Sequence, residues 1–221
     1  MTGAAVAATG AVDRLGECGV VPVLAVDDPA HGGPLAQALA AGGLPVAEVT
    51  FRTPAAAQVL GEMAAVDGML VGAGTVLTAG QVDTAVDAGA RFVVSPGWSD
   101  AVVRRCAELD VPVLPGVATA TDVLRALDHG VRTVKFFPAE TSGGVAAVKA
   151  LAAPFAGMRF VPTGGIGEQQ LSEYLAVPNV LAVGGSWLAP PALVAAGNWA
   201  EITRLARAAV DAVGPVRDAR P

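Results

Sequence analysis

Thr133-Val134-Lys135-Phe136-Phe137-Pro138-Ala139-Glu140 is an apolar, strand-like run that carries one lysine and stops at a proline. A Gly143-Gly144 turn and an Ala/Val-rich helical stretch, residues 145–152, follow it. This order of strand, turn and helix recurs along the chain. Strand-like runs are read at 20–26, 46–51, 69–72, 91–95, 111–114, 133–137, 160–162 and 180–183, rich in β-branched residues and continuously apolar rather than alternating. Helical stretches follow at about 29–41, 54–66, 79–88, 100–109, 121–128, 145–152, 168–175 and 199–213. Asp28-Pro29 supplies an N-cap and a first-turn proline, and Gly42, Gly89 and Gly130 close helices.

Strands apolar on both faces, separated by helices, belong to a parallel sheet covered by helices. The number of units and the 221-residue length favour a closed (β/α)8 TIM barrel over an open doubly wound sheet. The first strand–helix turn carries no G-x-G-x-x-G of a dinucleotide fold. Nothing reads as a linker, so residues 1–221 are expected to form a single α/β domain. A short helix at 12–18 precedes the barrel, with residues 1–11 and 214–221 as loose tails.

Composition narrows the function classes. The chain is 53% hydrophobic and 15% charged, which allows a large core. Its net charge of −6 and the lack of a basic cluster beyond Arg104-Arg105 argue against nucleic acid or an anionic membrane as partner. Residues 1–11 have no basic n-region and are too short to span a bilayer. Cys18 and Cys106 stand in unrelated contexts, as buried thiols of a reducing cytoplasm would. His31 and His129 are the only histidines, which leaves no His-rich metal site. Lys135 and Lys149 are the only lysines.

A barrel of this kind places its chemistry at the C-terminal ends of the strands. Strand side chains alternate, so Thr133, Lys135 and Phe137 share one face, and so do Glu48, Thr50 and Arg52. A lysine among apolar neighbours either snorkels to solvent or sits in an enclosed site, where desolvation favours the free amine that Schiff-base chemistry needs. Glu48 fits an acid/base with a tuned pKa or a structural ion pair with Arg52 or Lys135. Arg52 fits a bidentate carboxylate clamp or the same pair. Thr75, after Gly72-Ala73-Gly74, brings a hydroxyl to the same rim, while Ser95, Pro96 and Pro115-Gly116 shape turns there. The turns Thr163-Gly164-Gly165 and Gly184-Gly185-Ser186 follow the seventh and eighth strands, where barrels often hold phosphate on glycine backbone amides.

Together, VAEVTFRT (46–53), GAGTV (72–76), SPG (95–97), PGVAT (115–119), VKFFPAE (134–140), PTGGI (162–166) and GGSWL (184–188) resemble the 2-keto-3-deoxy-6-phosphogluconate (KDPG) aldolases, class I aldolases that often also act on 2-keto-4-hydroxyglutarate. The likeness runs from about residue 20 to 209, in order and at similar spacing. It implies a (β/α)8 barrel, a homotrimer, no metal or other cofactor, and a small phosphorylated 2-keto acid as substrate; the cysteine usage adds the expectation of a cytoplasmic location. By the resemblance, Lys135 is the Schiff-base lysine and Glu48 the general acid/base. Arg52 and Thr75 hold the pyruvyl carboxylate, with Phe137 and Pro96 lining its pocket. Thr163, Gly164, Gly165, Gly185 and Ser186 surround the phosphate-bearing end. The N-terminal residues, His31-Gly32-Gly33 and Trp98 depart from the family pattern. Alternatives are an aldolase of the same chemistry preferring 4-hydroxy-2-oxoglutarate or the galactonate epimer, or a phosphosugar epimerase or isomerase that forms no imine.

Overall fold

A computed structural model describes residues 3–218. After α1 (Gly3–Cys18), the chain runs β1 (Val20–Leu24), α2 (Gly32–Ala41), β2 (Val46–Thr50), α3 (Ala56–Ala64), β3 (Leu70–Gly74), α4 (Ala79–Asp87), β4 (Val93–Val94), α5 (Asp100–Glu108) and β5 (Val113–Leu114). It continues with β6 (Gly116–Val117), α6 (Ala120–Asp128), β7 (Thr133–Phe136), α7 (Gly144–Ala152), β8 (Arg159–Pro162), α8 (Leu171–Leu175), β9 (Val183–Gly185), α9 (Pro191–Ala195) and α10 (Trp199–Asp218).

The strands pair in parallel, in the order β5-β4-β3-β2-β1-β9 and β6-β7-β8. Two bridges, Phe160↔Val180 and Thr163↔Gly184, join β8 to the β9 side. Pro115 separates β5 from β6. With no N–H it cannot donate to a ladder, but its carbonyl accepts from Lys135 N–H at 3.0 Å and keeps the two pieces in one stave. With β5 and β6 counted as that one stave, the nine strands close the expected (β/α)8 barrel.

The helices are amphipathic at helical spacing. In α5, Val102, Val103 and Cys106 are buried, while Arg105 turns outward to Asp83 (2.6 Å) and Glu108 (2.8 Å). Caps set several helix starts at the barrel mouth: Thr78 for α4, Ser99 for α5, and Thr119 with Asp122 as a capping box for α6. Burial pushes the Cys106 thiol up to about 12, so it is protonated and inert at neutral pH. Among the described residues, no helix is long and apolar enough to cross a membrane.

Five readings need correction. The first helix starts at Gly3, inside the stretch read as a loose extension, because its alanine-rich sequence is a strong helix former. The last helix continues through Gly214-Pro215 to Asp218; residues 1–2 and 219–221 of the two presumed tails lie outside the described residues. The fifth strand is split at Pro115. The eighth, read at 180–183, is the ladder Val183–Gly185 with only a bridge at Val180, and α9 lies in a stretch for which no helix was expected.

Candidate active site

The local sequence of β2, VAEVT, is buried at every position. Period-two alternation sends Ala47 and Val49 toward the helices and Glu48 and Thr50 into the barrel. Thr50 is held by donating Oγ1 to the Leu24 carbonyl at 2.7 Å. It accepts from Arg52 Nε at 3.1 Å, which steers the guanidinium over the strand end. Among the described residues no carboxylate forms an ion pair with Arg52, so its remaining donors are available to an anion.

On β7, Lys135 is 5% exposed, and its Nζ donates to Glu48 Oε1 at 3.1 Å. Glu48 is 4% exposed. Taking both charges out of water is costly, and each is tolerated because the other neutralises it. Of the two structural alternatives for Glu48, the pair is with Lys135 and not with Arg52. Lys135 Nζ also stands 5.1 Å from the Phe137 ring centroid, within cation–π range.

Glycine on the neighbouring strand makes room for this pair. A Cβ at Gly74 would lie 2.2 Å from Glu48 Oε1. The next residue, Thr75, has φ 57. A β-branched residue in the left-handed region is costly, and such strain gathers at functional sites. On the far side, a Cβ at Gly184 would lie 2.2 Å from Thr163 Oγ1, and Gly164 and Gly165 hold φ 106 and 80. Gly116 lets the Pro96 carbonyl approach, since a Cβ there would stand 2.1 Å from it.

These residues enclose a cavity of about 180 Å³ lined by Val23, Thr50, Arg52, Thr75, Pro96, Lys135, Phe137, Thr163, Gly164, Gly165, Ile166, Gly184 and Ser186. Of the residues singled out from sequence, two are not in the lining. Glu48 meets the site through Lys135, and the Cα of Gly185 is turned to the Trp187 ring, 1.8 Å from where a Cβ would stand. Four lining residues were not assigned to the site. Thr50 and Gly184 carried a signal, in the alternation of β2 and in the GGS turn. Val23 and Ile166 look like any core aliphatic. Among the described residues no three His, Cys, Asp or Glu side chains come together as metal ligands would. Two cations and one carboxylate around a concave, partly apolar volume suit an anionic carbonyl substrate and an amine nucleophile.

Known proteins resemble this chain in sequence and fold. The chain is 47% identical over 196 residues to the 2-dehydro-3-deoxy-phosphogluconate aldolase of Treponema pallidum, covering 88% of this chain and 93% of that one. It is 44% identical over 193 residues to the KHG/KDPG aldolase of Escherichia coli K12, covering 87% and 91%. The solved 2-keto-3-deoxy-6-phosphogluconate aldolase of Zymomonas mobilis ZM4 with 3-phosphoglycerate superposes with a TM-score of 0.84 at 45% identity, covering 91% of this chain and 94% of that one. The Legionella pneumophila KDPG aldolase, with pyruvate captured as a covalent carbinolamine intermediate, gives 0.86 at 40% identity, covering 90% and 97%. The family model for KDPG and KHG aldolase matches residues 12–205. The chain belongs to the KDPG and KHG aldolase family.

Proposed function

We propose that this chain is a metal-independent class I aldolase that cleaves 2-dehydro-3-deoxy-6-phosphogluconate to pyruvate and glyceraldehyde 3-phosphate. The observation that carries this reading is the buried Lys135–Glu48 contact of 3.1 Å beside a cavity that also presents Arg52. In the proposed mechanism Arg52 and Thr75 hold the substrate carboxylate, while Pro96 and Phe137 line the pyruvyl pocket. Glu48 takes a proton from Lys135, and the free amine adds to the C2 ketone to form a carbinolamine. Glu48 returns that proton to the carbinolamine hydroxyl, which departs as water and leaves an iminium and an ionised Glu48. Glu48, through a water or directly, then removes the C4 hydroxyl proton, the C3–C4 bond breaks, and its electron pair flows into the iminium to give an enamine and the free aldehyde. Glu48 returns the proton to C3, and water hydrolyses the iminium to release pyruvate and the amine. The iminium is the electron sink, so the chemistry needs no metal.

At the distal end, the amides around Thr163, Gly164 and Gly165 and the Ser186 hydroxyl suit a phosphate. Gly185 acts there through its neighbours. The same pyruvyl chemistry serves 4-hydroxy-2-oxoglutarate, giving pyruvate and glyoxylate, and the E. coli relative carries both substrates in its name. The reading includes one domain, a cytoplasmic location and the homotrimer that the family resemblance implies. Pyruvate release from the two substrates, coupled to lactate dehydrogenase, tests it. A higher kcat/KM on the phosphorylated substrate is expected, and no release from either contradicts the assignment.

A further inference from the structure

Glu140 closes the 133–140 stretch, and the chemistry above does not use it. Its half-buried carboxylate lies behind the cavity wall and accepts two hydrogen bonds. Tyr174 on α8 donates its hydroxyl to Oε1. Gln170 Nε2 donates to Oε2 at 2.8 Å, and Gln170 Oε1 accepts the Gly167 N–H, also at 2.8 Å. The main chain is tied to the same loop: Ala139 N–H donates to the Thr163 carbonyl at 2.8 Å, and Glu140 N–H to the Gly164 carbonyl at 3.1 Å. A Cβ at Gly165 would stand 2.9 Å from Glu140 Cβ, so the loop lies directly on this side chain.

Residues 163–167 need such support. Gly164 and Gly165 hold positive φ values that glycine reaches cheaply and leaves as cheaply. Hydrogen bonds to an ionised carboxylate are stronger than neutral ones, and two of them converge on Glu140. Tyr174 is fully buried, and burial followed by the Glu140 carboxylate raises its pKa, which keeps it a donor. None of the hydrogen bonds of these three side chains reaches Lys135, Glu48 or Arg52.

We infer that Glu140, Tyr174 and Gln170 form a brace that positions the 163–167 loop for the phosphate end of the substrate, so that Glu140 acts as a specificity-determining positioning residue. This rests on the proposed reading of the distal end of the cavity. The test compares wild type, Tyr174→Phe and Glu140→Gln on 2-dehydro-3-deoxy-6-phosphogluconate and on 4-hydroxy-2-oxoglutarate, with pyruvate–borohydride inactivation as a third readout. Tyr174→Phe removes one donor oxygen and keeps the ring, so it remains informative if Glu140→Gln does not fold. The expected result is a KM for the phosphorylated substrate raised about five- to tenfold, with kcat within about twofold. The non-phosphorylated substrate and the inactivation rate should change by less than about twofold, and inorganic phosphate should compete correspondingly more weakly. Equal changes on both substrates, or none on either, overturn the brace. A wild-type protein inactive on the phosphorylated substrate instead breaks the functional reading beneath it.

Discussion

At the C-terminal ends of its strands the barrel holds a cavity of about 180 Å³, and at the N-terminal ends it holds two of about 330 Å³ each. In the proposed reading the smaller one carries the chemistry. The larger clefts are lined by Arg14, Arg91, Arg132 and Arg159, none of them buried, and these polar groups face water or satisfy local partners. Arg14 donates to the Gly68 carbonyl at 2.8 Å, and Arg159 pairs with Asp13 at 3.1 Å. Strand β7 shows the contrast within three residues. Thr133 and Lys135 share a face, but Thr133 meets Arg159 Nε at 3.1 Å at the N-terminal end, whereas Lys135 meets a buried carboxylate at the other. Volume therefore says less about a site than ionisable side chains taken out of water and aimed at one space.

Substitutions can break or sharpen this contrast. The largest effect is expected from Lys135→Met, which removes the amine and should lower kcat/KM at least about a thousandfold. It also leaves Glu48 buried without its partner, and denaturant unfolding should show a loss of roughly 3–5 kcal/mol. Glu48→Gln keeps the shape and should lower kcat by about 10² to 10⁴, with substrate binding little changed, as steady-state kinetics would show. Gly74→Ala would place a methyl group 2.2 Å from Glu48 Oε1. It should displace the carboxylate, cost about 1–3 kcal/mol in unfolding experiments, and reduce kcat at least about tenfold. Arg91→Ala and Arg132→Ala at the opposite end should leave kcat/KM within about twofold and stability within about 0.5 kcal/mol. A large activity loss from either arginine would erase the contrast between the two ends.

How much of this was legible in the sequence differs with the range of the interaction that decides each feature. Alternation within a strand is local, so VAEVTFRT and TVKFFPAE revealed which faces Glu48, Thr50, Arg52 and Lys135 share. The repeated strand–turn–helix unit likewise disclosed the barrel. That Lys135 pairs with Glu48, 87 residues away, is set by how the barrel closes, and spacing alone left Arg52 as an equal candidate. Gly74 read as part of a rim turn, because its use as space for a side chain on β2 depends on strand register. The φ of 57 at Thr75 has no sequence signature, since threonine is a poor choice for that conformation on local grounds. Helix limits were missed where local signals conflict with context: Gly214-Pro215 reads as a stop, and α10 continues past it. The brace of Glu140, Gln170 and Tyr174 joins residues up to 34 apart and could not be read from the VKFFPAE run that contains its centre.

In the proposed reaction Lys135 forms a covalent bond with the keto acid. Borohydride reduction in the presence of pyruvate, followed by intact-mass and peptide-mass analysis, tests it most directly. One reduced pyruvyl adduct per chain, located on Lys135, is the predicted result, with the exposed Lys149 on α7 unmodified as an internal control. No adduct, or an adduct on Lys149, would contradict the account.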